Sequence, residues 1–293
     1  MRLCLRAALC CVLTLSTAQA GVPLTPAGNG HLVVPTFVDG KGTLPFILDT
    51  GADGTGIYDW FARQQALRPG PVRELGGMTG TTSTPTYRLR SVGIDGRFLH
   101  DLVVDSYPDR HDQEIAAGVV GNDLMDGSVA VFDFPCAQLS LLPKPVDLRR
   151  LLTRAAQRFE GGAVAQGTQL TFPVRIGEAE GIAVLDTGSR DTKINTRFAR
   201  AAGIDPAAAA FAPADAVYGA SAHAMDSRQG PIGRVRFGAL EVRDARARVM
   251  DLPVFEAFGL GDRPAMIFGL DLMRDHRLVY DHQARRFWFD RST

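Results

Sequence analysis

Apolar and polar positions fall into the same pattern twice along this chain. The stretch "HLVVPTFVDGKGTLPFIL", His31 to Leu48, reads as two β-rich apolar runs around a turn at Asp39-Gly40-Lys41-Gly42. The stretch "QLTFPVRIGEAEGIAVL", Gln169 to Leu185, does the same around Gly177-Glu178-Ala179-Glu180. Turn residues between such runs predict hairpins. Each hairpin runs into an Asp-Thr-Gly loop, "FILDTGADGTGI" from Phe46 and "AVLDTGSRDTKI" from Ala183. At a spacing of 137 positions, Leu48, Asp49, Thr50 and Gly51 recur as Leu185, Asp186, Thr187 and Gly188. Thr55 recurs as Thr192, Ile57 as Ile194, and Phe61-Ala62-Arg63 as Phe198-Ala199-Arg200.

A second block is also duplicated. "GVVGNDLMDGSVAVFDFPCAQLSLL" starts at Gly118 and "MIFGLDLMRDHRLVYDHQARRFWF" at Met266. Gly121, Asp123, Leu124 and Met125 match Gly269, Asp271, Leu272 and Met273, and Asp133 matches Asp281. Each half therefore predicts the same parts in order: hairpin, Asp-Thr-Gly loop, short helix, middle segment, apolar-Gly turn, short helix, closing hairpin. Two copies of so long a unit are too few for a solenoid and predict a pseudo-two-fold pair of lobes, mainly all-β. The expected lobes span residues 21–145 and 168–293. Between them, Val146, Leu148, Leu151, Leu152, Ala155 and Phe159 fall at roughly helical spacing, and Gly161-Gly162 follows. This predicts a connecting helix within 146–167. Its arginines, Arg149, Arg150, Arg154 and Arg158, read as a solvated face rather than an anion site.

The chain's 293 residues suffice for two ordinary domains. With 45% hydrophobic and 22% charged residues it is an ordinary globular composition. The formal net charge is zero and there is no basic block, which argues against a nucleic-acid partner. The first twenty residues, "MRLCLRAALCCVLTLSTAQA", carry Arg2 and Arg6, an apolar run, and Ala18-Gln19-Ala20. That is the pattern of a cleaved export signal, and its apolar run is too short for a stable membrane span. The expectation is an exported, periplasmic or secreted protein without stable membrane insertion. Cys4, Cys10 and Cys11 would leave with the signal, and the remaining Cys136 is expected to be a small buried hydrophobe.

Two equivalent loops meeting on a two-fold axis would bring Asp49 and Asp186 face to face. Like charges at that range cannot both ionise, so the pair shares one proton. The ionised member can take a proton from water while the protonated member donates to a carbonyl, which is general acid–base hydrolysis of an amide. Gly51 and Gly188 allow tight turns whose N–H groups approach the carboxylates. Thr50 and Thr187 can hydrogen-bond across the axis. Beyond the leader no His-Glu-x-x-His, Cys pair or EF-hand spacing is present, so neither metal nor cofactor is expected. Asp123 and Asp271 read as helix-start residues, favourable at the positive end of the helix dipole.

The paired apolar-apolar-Asp-Thr-Gly-Ala/Ser motifs, each followed by an apolar-apolar-Gly turn and a short helix, resemble the aspartic peptidases of the retropepsin and pepsin clan. The resemblance covers essentially the whole chain after the leader. It implies a catalytic dyad of Asp49 and Asp186, buttressed by Val119-Val120-Gly121 and Ile267-Phe268-Gly269, with Ser189 adding a hydroxyl near Asp186. It also implies a flap hairpin over bound peptide. The candidates are Arg73–Leu89, with Met78, Gly80 and Thr81 near its tip, and Val217–Gly230, with Tyr218 and Gly219. The implied activity is an aspartic endopeptidase, monomeric because one chain carries both acids, acting on peptide or protein. The alternatives are a non-catalytic peptide-binding or regulatory protein on the same fold, and a dimer using its lobes in trans.

Overall fold

The computed structural model describes residues 21–109, 116–221 and 223–290. The leader, residues 1–20, lies outside them. Among the described residues the chain is mostly β, with helices of four to six residues.

Two lobes carry the same strand order. In the first, the hairpin Leu32–Val38 and Thr43–Leu48 is followed across the sheet by Gly118–Val120, Gly56–Tyr58, Arg97–Tyr107, Gly80–Ile94 and Val72–Gly77. In the second, Thr171–Ile176 and Ala179–Leu185 are followed by Ala265–Phe268, Lys193–Ile194, Leu240–Val249, Met225–Phe237 and Ala212–Val217. Each sheet also folds back on its first hairpin. Phe37 and Val38 pair with Gly93 and Val92, and Arg175 and Ile176 with Arg236 and Val235. The buttress strands run parallel to the strands that deliver the two acids, with Leu48 opposite Val120 and Leu185 opposite Phe268. Parallel pairing of such short strands needs both faces covered. Phe46, Leu48, Ile57 and Phe61 fill the first lobe, and Phe172, Phe198, Phe237, Phe268 and Phe289 the second, all essentially inaccessible to water.

A six-stranded antiparallel sheet joins the lobes. At its centre the closing hairpins meet, Ala130 opposite Tyr280 and Phe132 opposite Leu278.

Two expectations are corrected here. The connector is helical only over Leu148–Leu151; Gln157–Glu160 is an edge strand of the joining sheet, paired with Arg286–Asp290. Asp290 accounts for the break, because its carboxylate accepts from the Thr153 N–H at 2.8 Å and from the Thr153 hydroxyl. Beyond that anchor Phe159 stacks on Phe287 at 5.1 Å, inside the second lobe's core. Val146, Leu148, Leu151 and Leu152 pack elsewhere, on Val129, Val131, Val279 and Trp288. The apolar spacing thus served two separate surfaces. Arg149 and Arg150 are solvated, with side chains 91% and 89% exposed. Cys136 is exposed rather than buried, because it sits in the turn between Ser128–Asp133 and Gln138–Pro143, where its N–H donates to Asp133 Oδ1.

Candidate active site

The two Asp-Thr-Gly loops meet between the lobes and are locked by a symmetric set of four hydrogen bonds. The Thr50 N–H donates to Thr187 Oγ1 and the Thr187 N–H to Thr50 Oγ1, both at 3.0 Å. The Thr50 hydroxyl donates to the Leu185 carbonyl at 3.0 Å, and the Thr187 hydroxyl to the Leu48 carbonyl at 2.9 Å. Both threonines are buried, so this net is shielded from water.

The acids lie across the axis from each other's glycines. A Cβ built on Gly51 would stand 2.8 Å from Asp186 Cγ, and one on Gly188 2.2 Å from Asp49 Cγ. Any side chain at either position would push into the opposite carboxylate, which is a physical reason for glycine in both loops. The Gly51 N–H also donates to Asp49 Oδ1 at 2.7 Å.

Each loop is braced from beneath in the same way. The Asp49 N–H donates to the Val120 carbonyl and the Asp186 N–H to the Phe268 carbonyl. A Cβ on Gly121 would lie 2.5 Å from the Gly54 backbone, and one on Gly269 2.8 Å from Asp191 C, so the loop passes directly over each buttress glycine. Thr55 Oγ1 accepts from the Gly121 N–H and donates to Asp123 Oδ1 at 2.7 Å; Thr192 Oγ1 does the same with Gly269 and Asp271. Asp123 and Asp271 stand in the first turns of Asn122–Met125 and Leu270–Met273, as the sequence suggested, and in addition clamp the Asp-Thr-Gly loops.

Electrostatics separates the two acids. Burial, then the negative charge of Asp186, pushes the Asp49 carboxyl well above the usual carboxylate range. Burial also raises Asp186, but the positive charge of Lys193 counteracts it. Asp186 is 6% exposed and its Oδ1 is buried without a hydrogen-bond partner among the described residues; Asp49 retains some opening to the cleft. Burial likewise raises the Tyr107 hydroxyl well above its ordinary value, with Asp49 adding to the effect.

The cleft above the acids has a volume of about 820 Å³. Met78, Gly80, Thr81, Tyr218 and Gly219 all line it. The structure brings both candidate hairpins over the cleft, tip to tip. The Gly219 N–H donates to Thr79 Oγ1 at 3.0 Å, and the Thr79 and Ser221 hydroxyls hydrogen-bond at 3.1 Å. Gly77 and Gly219 permit the contact, since a Cβ on either would come within 2.8 Å of the opposing backbone. Tyr87, within the first candidate hairpin, belongs to the first lobe's core.

Sequence reasoning did not single out Asn122, Tyr280, Gln169 or Lys193, all of which the site uses. Asn122 donates to the Thr50 carbonyl and accepts from Tyr280 of the other lobe. Gln169 donates to the Gly51 carbonyl. Lys193 is buried, lines the same cleft as Asp186, lies within electrostatic reach of it, and pairs in register with Arg248. Lys193 did leave a signal, because it breaks the repeat at the position of Gly56. The Ser189 hydroxyl, expected near Asp186, is turned away to Lys193 and the Asp191 carbonyl.

A family model described as aspartyl protease matches the chain in two blocks, residues 34–124 and 172–272. The blocks are the two lobes' copies of the same unit and together cover well over half of the chain. The chain therefore belongs to the aspartyl protease family. No curated protein matches it significantly.

Proposed function

We propose that the protein is an exported aspartic endopeptidase that hydrolyses peptide bonds with water activated between Asp49 and Asp186. The observation that carries this reading is the crossed placement of the two carboxylates under each other's glycines, on the floor of a cleft roofed by two hairpins. The ionised carboxylate takes a proton from water as the water oxygen attacks the amide carbon. The protonated carboxyl gives its proton to the carbonyl oxygen. In the second step the carboxyl that received water's proton passes it to the leaving nitrogen. The other carboxylate takes a proton back from a hydroxyl of the tetrahedral carbon, the C–N bond breaks, and the pair is again singly protonated. Substrate binds extended between the hairpins and the floor, adding main-chain hydrogen bonds as a strand does.

Cleavage of an unfolded protein, followed from about pH 3 to pH 7, tests the reading. Wild type should cleave within that range, and Asp49→Asn and Asp186→Asn should each lose roughly 10²–10⁴-fold. Undiminished cleavage by either variant contradicts the assignment. Binding of peptides without cleavage by wild type would favour the peptide-binding alternative.

Export and a monomeric state belong to the same proposal. They rest on the Arg2/Arg6, apolar, Ala18-Gln19-Ala20 leader and on the presence of both acids in one chain. The mature protein should begin at Gly21 by N-terminal sequencing and show a one-chain mass by light scattering. A retained leader or a two-chain mass would overturn these points.

A further inference from the structure

The two halves of the site match in shape but not in charge. At the repeat spacing, Asp53 faces Arg190, Ala52 faces Ser189, and Gly56 faces Lys193. The strand pairing adds a further reversal: Gly56 lies opposite Asp105 in the first lobe, and Lys193 opposite Arg248 in the second. So three acid-or-neutral positions of lobe one become three basic positions in lobe two. Ser189 and Lys193, two of the departures, touch each other.

Lys193 is only 5% exposed. Its Nζ donates to Ser189 Oγ at 2.6 Å and to the Asp191 carbonyl at 2.8 Å, and neither partner carries a charge. A buried ammonium needs a counter-charge. The charged groups packed around it are Asp186, Asp191, Arg248 and Asp271. Asp191 is already engaged, since Arg248 Nε and Nη2 hold its Oδ2 at 3.1 and 2.9 Å. Asp271 is bound by Thr192 and is itself raised by burial. Arg190 points its guanidinium to the Asn29 carbonyl. Asp186 is the anion that remains. In the first lobe the space matching Lys193 holds the neutral Tyr107 ring, whose Cε2 would lie 2.4 Å from a Cβ on Gly56. The groups there are Asp105 and Asp123; Arg73 reaches Asp105 at 3.6 Å, with both side chains more than a third exposed or close to it.

We infer that Lys193 is a positioning residue that fixes the dyad's negative charge on Asp186 and its proton on Asp49. The inference rests on the proteolytic reading and deepens it by dividing the roles. Asp186 takes the proton from the attacking water, and Asp49 donates to the substrate carbonyl. Burial lowers Lys193 only to about 8, so it stays charged throughout the acidic range in which the dyad works.

Carbon-detected NMR titration of the side-chain carboxyls tests this without requiring turnover. The two signals are assigned from Asp49→Asn and Asp186→Asn. In wild type, the lower of the pair's two titration steps should appear chiefly on the Asp186 carbon. In Lys193→Met that step should move up by about one pH unit or more. The acid limb of the kcat/KM profile should move with it, and Lys193→Arg, which keeps the charge, should hold the limb near its wild-type position. An unmoved lower step in folded Lys193→Met overturns the inference. So does a lower step on the Asp49 carbon in wild type, which decides the matter even if the variant does not fold. Wild type that cleaves nothing would sink the proteolytic reading, while the carboxyl titration would still decide the role of Lys193.

Discussion

Asp49 is held where its charge is costly. Its folded titration lies well above that of the unfolded chain, because burial and Asp186 both disfavour the anion. The stability this proton confers is complete at low pH and is lost as pH rises through the folded value. Asn in the same place carries no charge to lose. Asp49→Asn should therefore be more stable than wild type at pH 7 by about 1 kcal/mol or more. The gap should close below the ordinary carboxylate range. Urea melts at pH 3 and pH 7 check this, and an equal difference at both would refute it. At this scale the acids, their threonines and their glycines were legible from the repeat alone. Lys193 was not, because one sequence shows that a position departs from symmetry but not what lies beside it.

Each Asp-Thr-Gly loop is shaped by the apolar-Gly element beneath it. Gly121 has an ordinary extended backbone, φ −96°, so its need for glycine is one of space and not of conformation. Gly121→Ala should cost about 1–3 kcal/mol, since the clash is with the Gly54 backbone and no flexible side chain can yield. Gly76 provides the control, because a Cβ there would meet nothing within 4 Å. Gly76→Ala should stay within about 0.5 kcal/mol of wild type. Equal urea midpoints for both variants would contradict the buttress account. Hairpins, acid loops and apolar-Gly turns were readable as elements because each pattern serves one surface. The connector was misread because Leu151 and Phe159 serve two, with the chain turned between them by Thr153 on Asp290. The meeting of the two hairpin tips was also beyond the sequence, since Thr79 and Ser221 are far apart along the chain and carry no pattern of their own.

On the scale of the molecule, the joining sheet and the threonine net make one site from two half-sites. Tyr280 of the second lobe donates to Asn122 of the first at 2.9 Å, and Asn122 in turn holds the Thr50 carbonyl. The lobes thus reach into each other's loops. The internal repeat made the pairing of Asp49 with Asp186 legible in the sequence, while the charge difference between the lobes needed the strand register. The central claim, one shared-proton unit built across the two-fold axis, is tested most directly by comparing single and double substitutions. If the two acids act as a unit, Asp49→Asn/Asp186→Asn should cleave no more slowly than either single variant, within about threefold. Losses that multiply in the double variant, or a single variant that retains wild-type cleavage, would contradict it.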